Sequence, residues 1–411
     1  MKKNLLILAA AALAFAACSN DETIAVNQGD AIVFRPVVDR TTRSATAPAD
    51  ADDNGSTAPT EFNITAWVND NSSDATHEYS GTPYINNVTY HNNSGTYYVS
   101  SSYSTEGNVN EYYWPSNSTG LDFFAYYPIS STYVGDGKQV QKVAYNEFTV
   151  TPTVESSSSA KQVDFLFAHN IHATKPSGSA GTPLVFKHTE AKIQLKVYNS
   201  STKMKFDVQG WKIGNVNTTG TLEIKRASNS VVSAGTIALA DWTSSSIGNY
   251  ESHLASGYAK IGTVAQGSAA SIDNGKLILI PQSLTALSTA AGYNPGTAIG
   301  NPLVSTGAYI AVQLKIRATD IDDVGETRNG TFIAGDTDNY VWAVWPISNT
   351  SWEPGKAYTY IIDLADGGYS STNLDTDADL DPILENAIIK FATVTVTDWD
   401  PADGTISVVN P

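Results

Sequence analysis

Cys18 is the single cysteine among 411 residues, and its position gives it a chemistry. Met1-Lys2-Lys3 is a cationic start, Leu5 to Ala17 is an unbroken apolar run, and Ala14-Phe15-Ala16-Ala17-Cys18 places small residues ahead of a thiol. The run is too short to cross about 30 Å of hydrocarbon but suits the core of an export signal. Its end resembles the bacterial lipobox, where the signal is removed and the cysteine acylated. Several acyl chains on one residue anchor firmly, because each buried CH₂ contributes about 0.8 kcal/mol. The other reading is an ordinary Ala-x-Ala cleavage site at Phe15-Ala16-Ala17 beside an incidental cysteine. Once acylated, Cys18 leaves no thiol for disulfides, thiolate zinc sites or nucleophilic catalysis.

The chain has six arginines, and Arg35, Arg40 and Arg43 stand close together just ahead of the Pro/Ala/Asp/Gly stretch Ala47 to Pro59. That stretch has no apolar period and reads as an exposed loop, where an arginine-specific protease could reach the chain. Arg43 fits best because small residues follow it, Arg40 is second, and Arg35 is disfavoured by Pro36 after the bond. A solvated charge cluster behind an edge strand is the plainer alternative.

Other constellations carry less. Asp375, Asp377, Asp379 and Asp381 place carboxylates at every second position, as calcium loops do, but Leu380 stands where the turn glycine belongs and Asn386 where a bidentate Glu is expected. His169 and His172 resemble half of a metal site without a third clustered ligand. No G-x-S-x-G, H-E-x-x-H or P-loop occurs, so neither an enzyme, a metal nor a cofactor is expected. The Tyr-rich segment Tyr97 to Trp114 reads either as cross-strand packing or as a platform for sugars.

Composition sets the frame for these residues. With Lys plus Arg at 24 and Asp plus Glu at 41 the net charge is −17, which excludes nucleic acid and disfavours anionic lipid surfaces. Only 16% of residues are charged while 41% are hydrophobic, with 21 Tyr and 8 Trp, so the chain folds behind a surface of Ser, Thr, Asn and Gly. Short alternating runs separated by polar clusters predict strands throughout. Ala31-Ile32-Val33-Phe34 is a first strand stopped by Arg35-Pro36 and resumed at Val37-Val38, with Pro36 marking an edge or a bulge. Leu184 to Val197 is the longest run; Phe186 is out of phase with Ile193, so a bulge near Thr189 to Ala191 is expected to direct both into one core. Pro382 to Lys390 and Gln282 to Ala291 could each hold a turn or two of helix. The class is all-β, with two sandwich-like domains. The expected division is 1–17 signal peptide, 18–43 tether and first strand, 44–201 N-terminal sandwich, and 202–411 C-terminal sandwich with a terminal extension, the boundary lying at the polar break Asn199 to Thr202.

Six runs, in order, resemble the fimbrillin family, the subunits of type V pili. They are Ile32-Val33-Phe34 before Thr42-Arg43, Val163 to Ala168, Leu184 to His188, Leu277 to Gln282, Trp352 to Tyr360, and Val394 to Trp399. The resemblance implies two transthyretin-like β-sandwich domains in tandem, a lipoprotein precursor in the outer membrane, cleavage behind the first strand by an arginine-specific protease, and strand exchange with copies of itself or related fimbrial subunits. It also implies that a C-terminal segment donates the strand. Val394, Val396 and Trp399 carry the alternation such a donor needs, although Val394 to Trp399 reads equally as the last strand of the second sandwich. A subunit of this kind ends at the cell surface in a fimbria used for adhesion. The competing expectation is a monomeric, surface-anchored glycan-binding lipoprotein, which has no use for a cleavable arginine loop.

Overall fold

The computed structural model describes residues 26–38, 58–69, 79, 81–93, 95–99, 112–116, 120–131, 133–152, 162–177, 181–224, 237–254, 257–285, 299–300, 307–319, 330–347, 351–371, 379–383 and 393–399. The regular elements among them are strands, with three one-turn 3₁₀ segments at Leu239–Asp241, Gln266–Ser268 and Leu364–Asp366. The all-β expectation holds, and the sheets stack in a sandwich-like arrangement.

One sheet of seven strands runs in the order Phe34–Val38, Thr182–His188, Leu166–Ala173, Leu121–Tyr127, Glu61–Val68, Ile85–Asn93, Thr96–Tyr98. Its central strands are apolar on both faces. Phe123 and Ala125 enter a cluster with Phe34, Phe62, Leu184 and Phe186. Phe124 and Tyr126 enter another with Trp67, Phe148, Phe165 and Leu222. Alternation fails to show in Leu121-Asp122-Phe123-Phe124-Ala125-Tyr126-Tyr127 because successive residues point to opposite faces and both faces are covered.

The larger core lies in the second half of the chain. A four-stranded sheet in the order Ala270–Leu279, Ala191–Tyr198, Lys356–Asp363, Thr393–Asp398 shares one apolar cluster with a sheet built on Met204–Glu223, Tyr309–Ala318 and Val341–Pro346. Ala191, Ile193, Leu195 and Val197 point into that cluster, while the residues between them stay at the surface. At Gly214, paired with Tyr309, a Cβ would lie 2.2 Å from the tyrosine ring, so only glycine lets the two strands close there.

The expected bulge near Thr189 to Ala191 is not what the chain does. Thr182–His188 and Ala191–Tyr198 are separate strands in separate sheets; Leu184 and Phe186 pack in one core and Ile193 and Leu195 in another. Thr189 and Glu190 form a corner, pinned where the Thr189 N–H and hydroxyl donate to the Phe165 carbonyl and the Gly355 N–H donates to that of Glu190. A corner between two sheets puts the same phase slip into the sequence as a bulge within one. Likewise Gln282, expected to open a helical turn, is in a two-residue strand, Gln282–Ser283, paired with Ser351–Trp352. Of the other helical candidate only Pro382 and Ile383 are described, and Pro382 ends the strand Asp379–Pro382.

Ala191–Tyr198, which lies ahead of the polar break at 199–202, is an interior strand of the four-stranded sheet and packs in the larger core. The cores are also joined by one element. The 20-residue strand Met204–Glu223 begins in the larger core and ends with Leu222 among Phe124, Phe148 and Phe165.

Candidate functional site

The expected first strand, Ala31 to Phe34 broken at Pro36, is not what forms: Val26–Ala31 is a strand paired with Tyr113–Pro115, the break falls at Ile32-Val33, and Phe34-Arg35-Pro36-Val37-Val38 runs through Pro36 as the first strand of the seven-stranded sheet, an edge for reasons visible in its residues. Pro36 has no N–H to give to a ladder, which confines it to a sheet edge. Phe34, Pro36 and Val38 are buried, Arg35 and Val37 exposed. The strand lies parallel to Thr182–His188, in register from Phe34 opposite Thr182 to Val38 opposite Phe186. Gly181, at φ 69°, turns the chain into that neighbour, and the Thr182 N–H donates to the Val33 carbonyl at 2.6 Å. The Phe34 ring meets Tyr90, Phe123 and Phe62 edge-on at centroid distances of 4.9, 5.2 and 5.9 Å. A short, edge-located segment thus fills an aromatic slot with alternate side chains. Its departure would uncover that slot and the free edge of Thr182–His188.

Arg40 and Arg43 follow this strand and lie outside the described residues, as does Cys18. Arg35 sits inside the strand, opposite Pro183.

The terminal strand Thr393–Asp398 is also an edge. It runs antiparallel to Lys356–Ile361 on the four-stranded sheet, with Val394 buried in the larger core and Val396 packed against it. The Trp399 N–H donates to the Gly355 carbonyl at 2.7 Å, and Asp398 pairs with Lys356. The Trp399 ring lies flat on the His188 imidazole, with centroids 4.3 Å apart and planes 8° from parallel. The Lys192 ammonium stands 5.8 Å from the centre of the same indole ring. Behind the imidazole, Nδ1 of His188 pairs with Asp164 Oδ1 at 2.9 Å. Glu190, fully buried at the corner, accepts from the Phe165 N–H at 2.9 Å. Burial pushes its carboxyl well above the usual range, and nearby Asp164 adds to this against the lowering effect of that hydrogen bond.

The residues His188, Asp164 and Glu190 escape sequence reasoning. His188-Thr189-Glu190 reads as a polar break inside an apolar run, and nothing local ties it to Asp164 or Trp399.

The weaker candidates resolve differently. His169 is buried against Phe124 and Phe167, its imidazole pulled down to about 4 by burial and secondarily by Lys187, whereas His172 pairs through Nδ1 with Asn69 Oδ1 at 3.1 Å. The two rings engage different surroundings and do not converge. Of the aromatic stretch Tyr97 to Trp114, Tyr97 and Trp114 are buried in the N-terminal core rather than displayed as a platform, and 100–111 lies outside the described residues. Of the acidic run, Asp379–Pro382 pairs with Tyr369–Ser371, and 375–378 lies outside the described residues.

Among solved structures, a fimbrial protein from Bacteroides vulgatus ATCC 8482 matches over 90% of this chain and 99% of its own, at 14% identity and a TM-score of 0.50. A candidate cell adhesion protein from Bacteroides ovatus ATCC 8483 matches over 91% and 99% at 16% identity and a TM-score of 0.43. The tip fimbrial protein Mfa3 from Porphyromonas gingivalis matches over 83% and 94% at 11% identity and a TM-score of 0.29. No curated protein matches. A family described as fimbrillin-like matches residues 42–399, nearly the whole chain, and the chain belongs to that family.

Proposed function

We propose that this protein is a structural subunit of a type V fimbria, built as two transthyretin-like sandwiches in tandem. It is exported as an outer-membrane lipoprotein through Cys18, cut after Arg43 or Arg40 by an arginine-specific protease, and polymerised with copies of itself or related subunits by strand exchange. The observation that carries the reading is the first strand. It occupies a sheet edge, fills an aromatic slot with alternate residues, and leads directly into the segment that holds Arg40 and Arg43. Cutting there separates lipid and strand together from the body of the subunit, and the vacated edge has unpaired N–H and C=O groups that a strand from a neighbour can satisfy. Val394 and Val396 repeat the two-residue spacing of Phe34, Pro36 and Val38, and the terminal strand that bears them is itself at an edge, from which it can leave without dismantling a sheet. No catalytic group enters this account.

The test is to treat the purified precursor with a trypsin-like protease under native conditions while following mass and oligomeric state. Loss of residues 1–43 followed by polymer ladders is expected, with Arg43→Ala slowing both. An Arg43→Ala protein that polymerises as readily as the wild type overturns processing at that bond. An uncut monomer retained on a polysaccharide gel would support the glycan-binding reading instead.

A further inference from the structure

The outer face of the sheet built on Met204–Glu223 gathers positive charge in a chain whose net charge is −17. Phe206, Val208, Leu314 and Ile316 enter the larger core, so the residues between them face outward. In one row across three strands, Lys260 of Ala259–Ile261, Asp207 of Met204–Glu223 and Lys315 of Tyr309–Ala318 stand opposite one another. Two residues along, Lys205 is opposite Arg317. The Arg317 guanidinium pairs with Asp207 at 3.2 Å and lies over the Phe332 ring at 4.8 Å, which fixes its place. Lys315 is buried; its ammonium donates to the Thr337 carbonyl at 2.6 Å and stands 4.4 Å from the centre of the Tyr340 ring. The Lys260 ammonium is 5.9 Å from the centre of the Tyr258 ring, and Tyr258 is 45% exposed. The Tyr340 phenol is pushed up from its ordinary value first by desolvation and then by Asp207 and Tyr258, with Arg317 opposing, so these side chains share one neighbourhood.

We propose that this face binds a sugar bearing a carboxylate, a uronic or sialic acid residue of a glycan: Tyr258 takes the C–H face of the ring, Lys260 takes the carboxylate, and the Asp207–Arg317 pair takes neighbouring hydroxyls. A sugar presents C–H bonds on a face and hydroxyls at its rim that both donate and accept. An exposed aromatic ring suits the first, and a carboxylate beside a guanidinium, each held in place by the other, suits the second. The surplus of cations decides the charge of the ligand. Lys205, Lys260 and Arg317 are exposed and face one carboxylate, so a single anionic group is favoured over none. Charges farther off than about 8 Å are largely screened at physiological salt, so a small anion on this face senses the local surplus rather than the net charge. A polyanion such as a nucleic acid, whose bases also stack on aromatic rings, would extend over the rest of an acidic surface and is disfavoured for that reason. The inference does not depend on strand exchange, since the residues involved lie on neither the first nor the terminal strand.

The test is ligand-observed saturation-transfer NMR on the full-length uncut protein, with sialyllactose and digalacturonate as acidic probes, lactose as the neutral one and a short oligothymidylate as the rival. Both acidic sugars should bind, lactose should bind about fivefold more weakly or worse, and the preference should shrink as salt rises from about 0.05 M to about 0.5 M. Tyr258→Ala should weaken all three sugars about fivefold or more, whereas Lys260→Gln should bring the acidic sugars to the level of lactose. Both side chains are exposed, so both variants should melt as the wild type does. Binding of neither acidic sugar, lactose binding as tightly as they do, or either variant binding them as the wild type does overturns the proposal. Oligothymidylate binding more tightly than the sugars would overturn it in favour of a nucleic acid. Because the readout needs neither cleavage nor polymer, a protein that binds these sugars yet forms no ladders after protease treatment would refute the polymerisation reading and leave the sugar site standing, and ladders without sugar binding would do the reverse.

Discussion

His169 is an imidazole kept neutral between two phenyl rings, and that arrangement makes stability depend on acid. The unfolded chain takes up this proton near pH 6.5, while the folded chain accepts it only at about 4. The folded state therefore loses ground progressively as pH falls from about 6.5 to about 4, a loss on the order of 3 kcal/mol, with little further change below. His169→Phe keeps a ring of similar size and removes the titration. Its denaturant midpoint should fall less than that of the wild type between pH 7 and pH 4.5. Parallel falls in the two proteins would show that another group sets the acid response. Nothing in the sequence flagged this residue as a buried base, because His169-Asn170-Ile171-His172 looks the same whether its rings face a metal, solvent or a core. The residues whose roles did show locally were those with a distinctive neighbour, such as Pro36 marking an edge.

At the scale of elements, spacing was informative wherever a strand has one wet face. Ile193, Leu195 and Val197 alternate with Lys192, Gln194 and Lys196 in the sequence and in the fold alike. It misled at Thr189-Glu190, because a two-residue period reports only that phase slipped and not whether the chain stayed in its sheet. Pairings between distant segments, such as Trp399 against His188, have no local trace at all. The close approach of two strands at Gly214 is of that long-range kind. Gly214 lies directly beneath Tyr309, so Gly214→Ala should overpack the site and cost about 1–3 kcal/mol. Combining it with Tyr309→Leu, which removes the ring that the new methyl would strike, should destabilise less than the two single changes added together. Strict additivity in thermal melts would mean that the strands separate to admit the methyl without involving Tyr309.

For the molecule as a whole, the two halves of the chain are tied together by shared strands and side chains. Glu147–Val150 pairs with the end of Met204–Glu223, and the Gln162 side chain bonds both ways to the Ile278 backbone, donating to its carbonyl at 3.0 Å and accepting from its N–H at 2.7 Å. A fragment 202–411 would lack Ala191–Tyr198 from the interior of its sheet and the partners of Leu222. It should be insoluble or lack a cooperative melt when produced alone, while the full chain melts in one transition. A soluble 202–411 with native-like dispersion in its NMR spectrum would show that the shared cluster is dispensable. The class of fold was open to sequence reasoning because strand and turn signals repeat along the whole chain. The interlocking was not, since it depends on where one long strand ends in space.

The polarity of Phe34–Val38 bears on the direction of the assembly proposed above. It runs alongside Thr182–His188 in the same sense, which gives slanted hydrogen bonds and a slightly weaker ladder than the opposed arrangement. On the strand exchange proposed above, a strand entering the vacated edge from a neighbouring subunit would be free to run the other way. One that did so would form the stronger ladder and bring a full set of N–H groups where Pro36 offers none. Each exchange would then end lower in free energy than the precursor began, and a fibre assembled from such steps would resist running backwards without any external source of energy.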